Sequence, residues 1–150
     1  MEVPVLILGK KQKLGRKIEE ISVGEKFEVT EKMEDKELLL FLGLTNDANP
    51  LYIQHEYTSQ TIYKKPIVPA IMLTGIITSA VSKYMPGPGS NIIKQQIEFT
   101  KPVHHYETVT FLFEITDMET EVNQITVHVE AIDENEDIVL NGDIVVCPPQ

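Results

Sequence analysis

The sequence predicts an α+β domain in which one long, buried helix is wrapped by a curved antiparallel sheet of about five strands. Residues 70–84 are apolar or small on every side, with no charge before Lys83, and a helix without a polar face is usually buried. After Gly89 the apolar residues recur with period two, which predicts strands, and a shorter alternation surrounds Phe27. With 150 residues, of which 42% are apolar, we expect one domain that spans residues 1–150.

Each earlier element follows from its own pattern. Residues 1–24 carry glycines and lysines without periodicity, so we expect an irregular lead-in. Phe27 to Lys32 alternates as a short strand does, and Glu34 to Leu44 places apolar residues at helical spacing after acids suited to a first turn. Residues 45–50 are rich in Asn and end at a proline, which predicts a polar loop before the buried helix over residues 70–84.

Four strands are predicted after the buried helix, each with one apolar face. The turns between them are indicated by Pro102, by residues 117–123 and by residues 133–137. The residues expected to face the core are Ile93, Ile97 and Phe99, then Val109, Phe111, Phe113 and Ile115, then Ile125, Val127, Val129 and Ala131, and finally Ile138, Leu140, Ile144 and Val146.

Composition excludes several classes of function. The net charge is -10, and residues 102–150 hold 11 acids without a single Lys or Arg, so a polyanion is repelled and we expect no nucleic-acid partner. The apolar runs are too short to cross a bilayer, so no membrane partner is expected. The lone cysteine, Cys147, fits a reducing compartment and a cytoplasmic location. No pair of histidines has metal-ligand spacing, so we expect neither a metal nor a cofactor.

Four short motifs carry most of the functional information. They are TNDANPLY at residues 45–52, PIVPAIML at 66–73, PGPGS at 86–90 and FTKPV at 99–103. In this order they resemble the MaoC-like dehydratases, the (R)-specific enoyl-CoA hydratases, whose pattern runs G-D-x-N-P-x-H, I-V-H-G-M-L, P-G-x-G-S and F-x-x-P-V. The resemblance spans roughly residues 16–146 and implies the hotdog fold, a long central helix wrapped by an antiparallel sheet.

The resemblance also implies a catalytic site. In that family an aspartate and a histidine flank a water that adds to an α,β-unsaturated acyl thioester, and a backbone N–H polarises the thioester carbonyl. Carried over, the aspartate is Asp47, the asparagine that orients it is Asn49, and the N–H donor is that of Ala70. Tyr52 stands in place of the histidine. Because a phenol has a pKa of about 10 against about 6.5 for imidazole, Tyr52 is expected to donate a hydrogen bond or act as an acid.

The implied ligand is an acyl-CoA or an acyl-carrier-protein thioester. The acyl chain is expected to run along the central helix, and the residues expected to contact the substrate are Pro50, Ile71, Gly75 and Thr78. The phosphates of CoA require cations, and the candidates are Lys64, Lys65, Lys94 and Lys101.

Structural roles are the alternative for most of these residues. Asp47 can hold its loop through an Asx turn, and Asn49 can serve turn formation alone. Tyr52 can be a packed aromatic with its hydroxyl at a pocket edge. Of the histidines, His55 lies close enough in sequence to reach Asp47, whereas we expect His104, His105 and His128 at the surface.

Three functions follow from this pattern. The first is an (R)-specific enoyl-CoA hydratase, or a related MaoC-like dehydratase, in fatty-acid or polyester-precursor metabolism. The second is a non-catalytic subunit that binds acyl thioesters or partners an active subunit, which the missing histidine favours. The third is an acyl-CoA thioesterase. Because a single sheet leaves an edge strand exposed, we expect at least a homodimer.

Overall fold

The computed structural model describes residues 13–150, which form four helices, five strands and two single 3-10 turns. Residues 1–12 of the expected lead-in lie outside the described part. Residues 13–24 are irregular apart from the 3-10 turn Ile18–Glu20. The elements are β1 (Lys26–Lys32), α1 (Asp35–Thr45), α2 (Pro50–Ile53), α3 (His55–Ser59), α4 (Ala70–Lys83), β2 (Asn91–Phe99), β3 (Thr108–Glu119), the second 3-10 turn (Thr120–Val122), β4 (Gln124–Ile132) and β5 (Ile138–Cys147).

The five strands form one antiparallel sheet in the order β1-β3-β4-β5-β2. The three consecutive strands β3, β4 and β5 lie at its centre, and β1 and β2 form its edges. The long helix α4 packs on the inner face, so the expected α+β class with a five-stranded antiparallel sheet is confirmed. No helix within residues 13–150 is long and apolar enough to cross a bilayer.

The core lies between α4 and the inner faces of the central strands. Every inward residue predicted for β3 and β4 is buried, because period-two alternation presents one face of each strand to the helix. In β5 the prediction fails only at Ile138, which is exposed at the start of the strand while the neighbouring Val139 is buried. The helix contributes Leu73, Ile77, Ala80 and Val81 to the same cluster.

The edge strand β2 departs from simple alternation. Its pairing with β5 shifts register between Ile92 and Lys94, and the bulge turns the intervening Ile93 outward, where it is 47% exposed. The prediction that Ile93 faces the core is therefore wrong, and Ile92 packs there instead. The two strands also approach closely at Gly142, where a Cβ atom would lie 2.2 Å from the carbonyl oxygen of Gln96.

The expected burial of α4 on every side is met on one face only. Its opposite face is exposed, and Ile71 alone has 53% of its surface exposed. Since the helix is apolar all round, its sequence could not show that the rest of the described chain leaves this face uncovered. The exposed residues of α4 are Ala70, Ile71, Gly75, Thr78, Ser82 and Lys83.

Candidate active site

The loop between α1 and α2 is built by hydrogen bonds among neighbouring residues. Helix α1 ends because Asn46 adopts a left-handed conformation, with φ of 57°, and its N–H bonds to the carbonyl of Leu42. The N–H of Asn49 then donates to Oδ1 of Asp47 at 3.0 Å, which forms an Asx turn. Oδ1 of Asn49 in turn accepts from the N–H of Leu51 at 3.0 Å and caps α2. Both residues therefore have the structural roles that the sequence allowed.

Helix α2 is tied to the segment that leads into α4. The carbonyl of Leu51 accepts a hydrogen bond from the N–H of Ile67 at 2.9 Å, and the N–H of Val68 donates to the carbonyl of Val103 at 2.7 Å. These bonds bring Tyr52 to the start of α4. There it lines a pocket of about 260 Å³ together with Ala70, the first residue of that helix.

This pocket combines apolar walls with two hydrogen-bond donors. The N–H of Ala70 belongs to the first turn of a helix, whose N–H groups have no helical acceptor, and it donates to nothing else among residues 13–150. The hydroxyl of Tyr52 likewise makes no hydrogen bond within the described residues. The remaining lining residues are Tyr63, Ile67, Val68, Leu73, Phe99, Lys101, Pro102 and Val103.

The structure does not bring all the sequence-predicted site residues together. Asp47 is half-buried in its own loop and is not among the residues that line the pocket. Ile71, Gly75 and Thr78 lie on the exposed face of α4, and the hydroxyl of Thr78 donates to the carbonyl of Thr74, one turn earlier. Pro50 is half-buried at the first position of α2.

The candidate cations differ in their availability. Lys64 and Lys65 are exposed in the loop before α4 and form no ion pair within the described chain. Lys101 instead binds two carboxylates, with Nζ 2.6 Å from buried Asp133 and 2.8 Å from Asp137. The hydrogen bond to Asp133 raises the pKa of Lys101 above its ordinary value. These two carboxylates make Lys101 less available to CoA phosphates than Lys64 and Lys65.

Tyr52 also lines a second pocket, of about 230 Å³. Its polar lining comes from Asp35 at the start of α1, His55 and His105, and its apolar lining from Leu38, Leu39, Ile53 and Pro66. The carboxylate of Asp35 accepts hydrogen bonds from the hydroxyl of Tyr106 and from Nδ1 of His105, the latter at 3.1 Å. The Tyr106 hydroxyl, with a smaller contribution from His105, holds the pKa of Asp35 below its usual range.

The surface location expected for two of the histidines is wrong. The side chain of His105 is only 16% exposed, because the turn at residues 104–107 folds against the start of α1. His104 is half-buried, and its Nε2 lies 2.9 Å from the carbonyl oxygen of Tyr63. The sequence carries no local signal for the contact of His105 with Asp35, since 70 positions separate them. His128 does lie on the outer face of the sheet, beside Asp143 and Glu130.

Solved structures share this fold. The unliganded R-hydratase of Pseudomonas aeruginosa superimposes with a TM-score of 0.84 at 24% sequence identity, covering 91% of this chain and 87% of that one. The (R)-hydratase of Aeromonas caviae, described as involved in PHA biosynthesis, gives a TM-score of 0.82 at 25% identity over 86% of this chain and 98% of its own. A central helix on a five-stranded antiparallel sheet is thus the hotdog fold of the MaoC-like dehydratases.

Sequence comparison gives the family. The model of the MaoC like domain matches residues 18–136, so this chain belongs to the MaoC-like domain family. The (R)-specific enoyl-CoA hydratase of Rhodospirillum rubrum is 26% identical over 131 residues, which cover 87% of this chain and 90% of that protein. The family and the fold are therefore those that the four motifs, taken in order, indicate.

Proposed function

We propose that this chain binds acyl thioesters and acts as an (R)-specific enoyl-CoA hydratase, or as a related MaoC-like dehydratase, adding water across the double bond of a trans-2-enoyl-CoA. The observation that carries the proposal is the largely apolar pocket at the start of α4, which Ala70 and Tyr52 both line and where neither the N–H of Ala70 nor the hydroxyl of Tyr52 has a hydrogen-bond partner within residues 13–150. The similarity to hydratases of two bacteria supports the same reaction.

Each polar group has a chemical role in this proposal. The N–H of Ala70 donates to the thioester carbonyl and stabilises the negative charge that develops on its oxygen. Asp47 acts as the acid–base that accepts a proton from water, and Asn49 orients the loop that carries it. Tyr52 takes the place of the family histidine and donates a proton as an acid. The acyl chain lies along α4 beside Ile71, Gly75 and Thr78, and Pro50 contributes to the wall. Lys64 and Lys65 bind the CoA phosphates.

A second candidate is a non-catalytic subunit that binds the thioester. The observation that favours it is the replacement of histidine by Tyr52, together with an Asp47 carboxylate that already accepts a hydrogen bond within its own loop. Tyr52→His distinguishes the two candidates, because an imidazole exchanges protons near neutral pH whereas a phenol does so poorly.

The test follows loss of the conjugated enoyl-thioester absorbance with short and medium trans-2-enoyl-CoA substrates. A hydratase loses about 10²- to 10⁴-fold in rate when Asp47 is replaced by Asn, because the carboxylate is removed. Asp47→Asn is a matched substitution, since the amide oxygen still accepts the N–H of Asn49 and preserves the turn. An inert wild type that gains activity as Tyr52→His favours the binding subunit. Release of free CoA thiol without hydroxyacyl-CoA identifies a thioesterase.

The proposal includes a homodimer. The exposed apolar face of α4 and two exposed residues of the edge strand β2, Ile93 and Phe99, form a surface that a second copy of the chain would cover. Light scattering after size-exclusion chromatography tests this, with a dimer as the expected result. Ile71→Glu should weaken the dimer, whereas Leu112→Glu on the outer face of the sheet should not. A monomeric wild type would contradict the proposal.

A further inference from the structure

A polar cluster that has no role in the proposed function lies against Tyr52. It joins Asp35, at the start of α1, to His105, in the turn before β3, and both residues line the second pocket together with Tyr52. Tyr52 therefore forms part of the wall of both pockets, with Ala70 in one and His105 in the other. A group that contacts Tyr52 from the second pocket acts on the residue that faces the proposed substrate.

The hydrogen bonds to Asp35 fix the orientation of the imidazole ring of His105. The two carboxylate oxygens of Asp35 bind the hydroxyl of Tyr106 and Nδ1 of His105. Since a carboxylate only accepts hydrogen bonds, Nδ1 carries a proton, and the second ring nitrogen faces away from Asp35. A carboxylate behind an imidazole also offsets the positive charge that the ring acquires when Nε2 is protonated.

Nε2 of His105 is the one buried side-chain nitrogen or oxygen of residues 13–150 that has no hydrogen-bond partner. A buried polar atom without a partner is unfavourable, and such atoms often mark function. The hydroxyl of Tyr52, a residue that lines the same pocket, also lacks a partner within the described chain. A phenol oxygen can accept one hydrogen bond while its O–H donates another. The two groups are not hydrogen-bonded to each other in this structure, so the contact between them requires one of the two side chains to move within the pocket that both residues line.

We propose that His105, held by Asp35, supplies protons to Tyr52 and so replaces the function of the missing family histidine. This inference rests on the proposed hydration and deepens it. His105 acts through Tyr52 and is a positioning residue, because it does not touch the substrate itself. A phenolate has a high cost near neutral pH, and a donated Nε2–H lowers that cost at the moment when Tyr52 gives up its proton.

The steps balance without an oxidant or a further reactant. The oxygen of water bonds to Cβ of the enoyl thioester while its proton passes to the Asp47 carboxylate, and the π electrons of the double bond move into the enolate held by Ala70. The O–H bond of Tyr52 then breaks as its proton bonds to Cα, and the phenolate takes a proton from Nε2 of His105. The proton on Asp47 leaves to solvent, and Nε2 of His105 regains a proton from solvent while the side-chain movement exposes it to the pocket, so that one water has been added in total.

Four variants test the relay. Kinetics are measured for the wild type, His105→Gln, Tyr52→His and the double variant, because an imidazole at position 52 exchanges protons directly and makes His105 dispensable. In the wild-type background, His105→Gln should lower kcat by about 10-fold or more with KM little changed. In the Tyr52→His background the same substitution should change kcat by less than about 2-fold. His128→Gln, on the outer face of the sheet, is the control for exchanging histidine for glutamine.

A purely structural role gives a different pattern. If His105 only holds α1 in place, His105→Gln lowers kcat equally in both backgrounds, and this result overturns the relay while the hydratase stands. Unchanged kcat in the wild-type background overturns it as well. A wild type that is inert with every enoyl-CoA overturns the proposed function, and the relay with it.

A measurement that needs no activity tests the contact itself. The titratable groups around the ring are Asp35 from α1, Tyr52 from α2, His55 from α3 and Tyr106 from its own turn. The ¹⁵N resonance of Nε2 averages over the positions with and without the contact, so it should shift when Tyr52→Phe removes the hydroxyl, whereas Tyr57→Phe on the exposed part of α3 should leave it unchanged. An identical Nε2 resonance with Tyr and with Phe at position 52 overturns the contact.

Discussion

The central sheet and the helical cap, which comprises residues 34–69, are stabilised in different ways. In β4, and in β3 as far as Ile115, every second residue is buried, and these residues pack on α4. In the cap, α1 buries Leu38 alone and α2 buries none of its residues, while Leu44 is 87% exposed. The cap is held by hydrogen bonds within its own loop and by the contact of Asp35 with the turn at residues 104–107.

The two regions therefore contribute to different properties, the sheet to the stability of the fold and the cap to the proposed chemistry. The sheet gains its free energy from apolar burial, which tolerates no polar group without a partner. The cap brings Tyr52 to the boundary between the two regions, where it lines a pocket together with Ala70 of α4. Substitutions in the sheet should therefore affect folding most, and substitutions in the cap should affect local structure and activity.

The largest effect is expected at Phe111 in the centre of the sheet. Phe111 is fully buried, and Phe111→Ala should lower the free energy of unfolding by about 3–5 kcal/mol through lost burial and a cavity. The adjacent Leu112 points to the outer face and is 38% exposed, so Leu112→Ala should cost about 1 kcal/mol or less. Urea unfolding with an unchanged slope measures both. Equal losses would mean that the inner face does not dominate stability.

Two glycines, one in each region, should respond with opposite sign. Gly142→Ala places a Cβ 2.2 Å from the carbonyl oxygen of Gln96 and forces β5 and β2 apart, at an expected cost of about 1–3 kcal/mol. Gly43 lies in α1 with open space around it, so Gly43→Ala should stabilise by about 0.5–1 kcal/mol. Thermal unfolding of the two variants measures the contrast. A loss of stability for Gly43→Ala would show that the cap is packed more tightly than its exposure indicates.

A smaller and local effect is expected at Asn49. Asn49→Ala removes the oxygen that caps α2, a loss of about 0.5–2 kcal/mol in the stability of that helix. Because α2 buries no residue, the change should appear as faster amide exchange at the start of α2, with little change in global unfolding. Asn49→Asp keeps an acceptor oxygen and is the control. A large change in the free energy of global unfolding would instead show that the cap and the sheet unfold together as one cooperative unit.

The smallest effect is expected from His128 on the outer face. Its hydrogen bond to Asp143, with a lesser one to Glu130, raises the pKa of His128 above its ordinary value. A raised folded-state pKa stabilises the protein fully below the unfolded value of about 6.5, and that stabilisation is lost as the pH rises through the folded pKa. His128→Gln should therefore lower the melting temperature more at pH 5.5 than at pH 8.5, where the difference should vanish. A difference independent of pH would rule out the ion pairs as its cause.

The sequence predicted the central elements well because their patterns are local. Alternation in β3 and β4 identified every inward residue, and the apolar run located α4 to within one residue of its end. The Asx turn at Asp47 was also open to prediction, because Asn and Asp form such turns with residues two positions away. The outward position of Ile93 could not be predicted, because a bulge changes which residue faces inward and the alternation of apolar residues does not show where a bulge lies.

The sequence by itself determined the class of fold, the family and the absence of histidine at position 52, because these depend on residue order and on periods of a few residues. Only the tertiary structure decided that Lys101 is bound by two aspartates, that one face of α4 is exposed, and that His105 meets Asp35 beside Tyr52. These contacts join residues 32 to 70 positions apart. They depend on how strands and turns pack against one another, and that packing follows from the burial of the whole core.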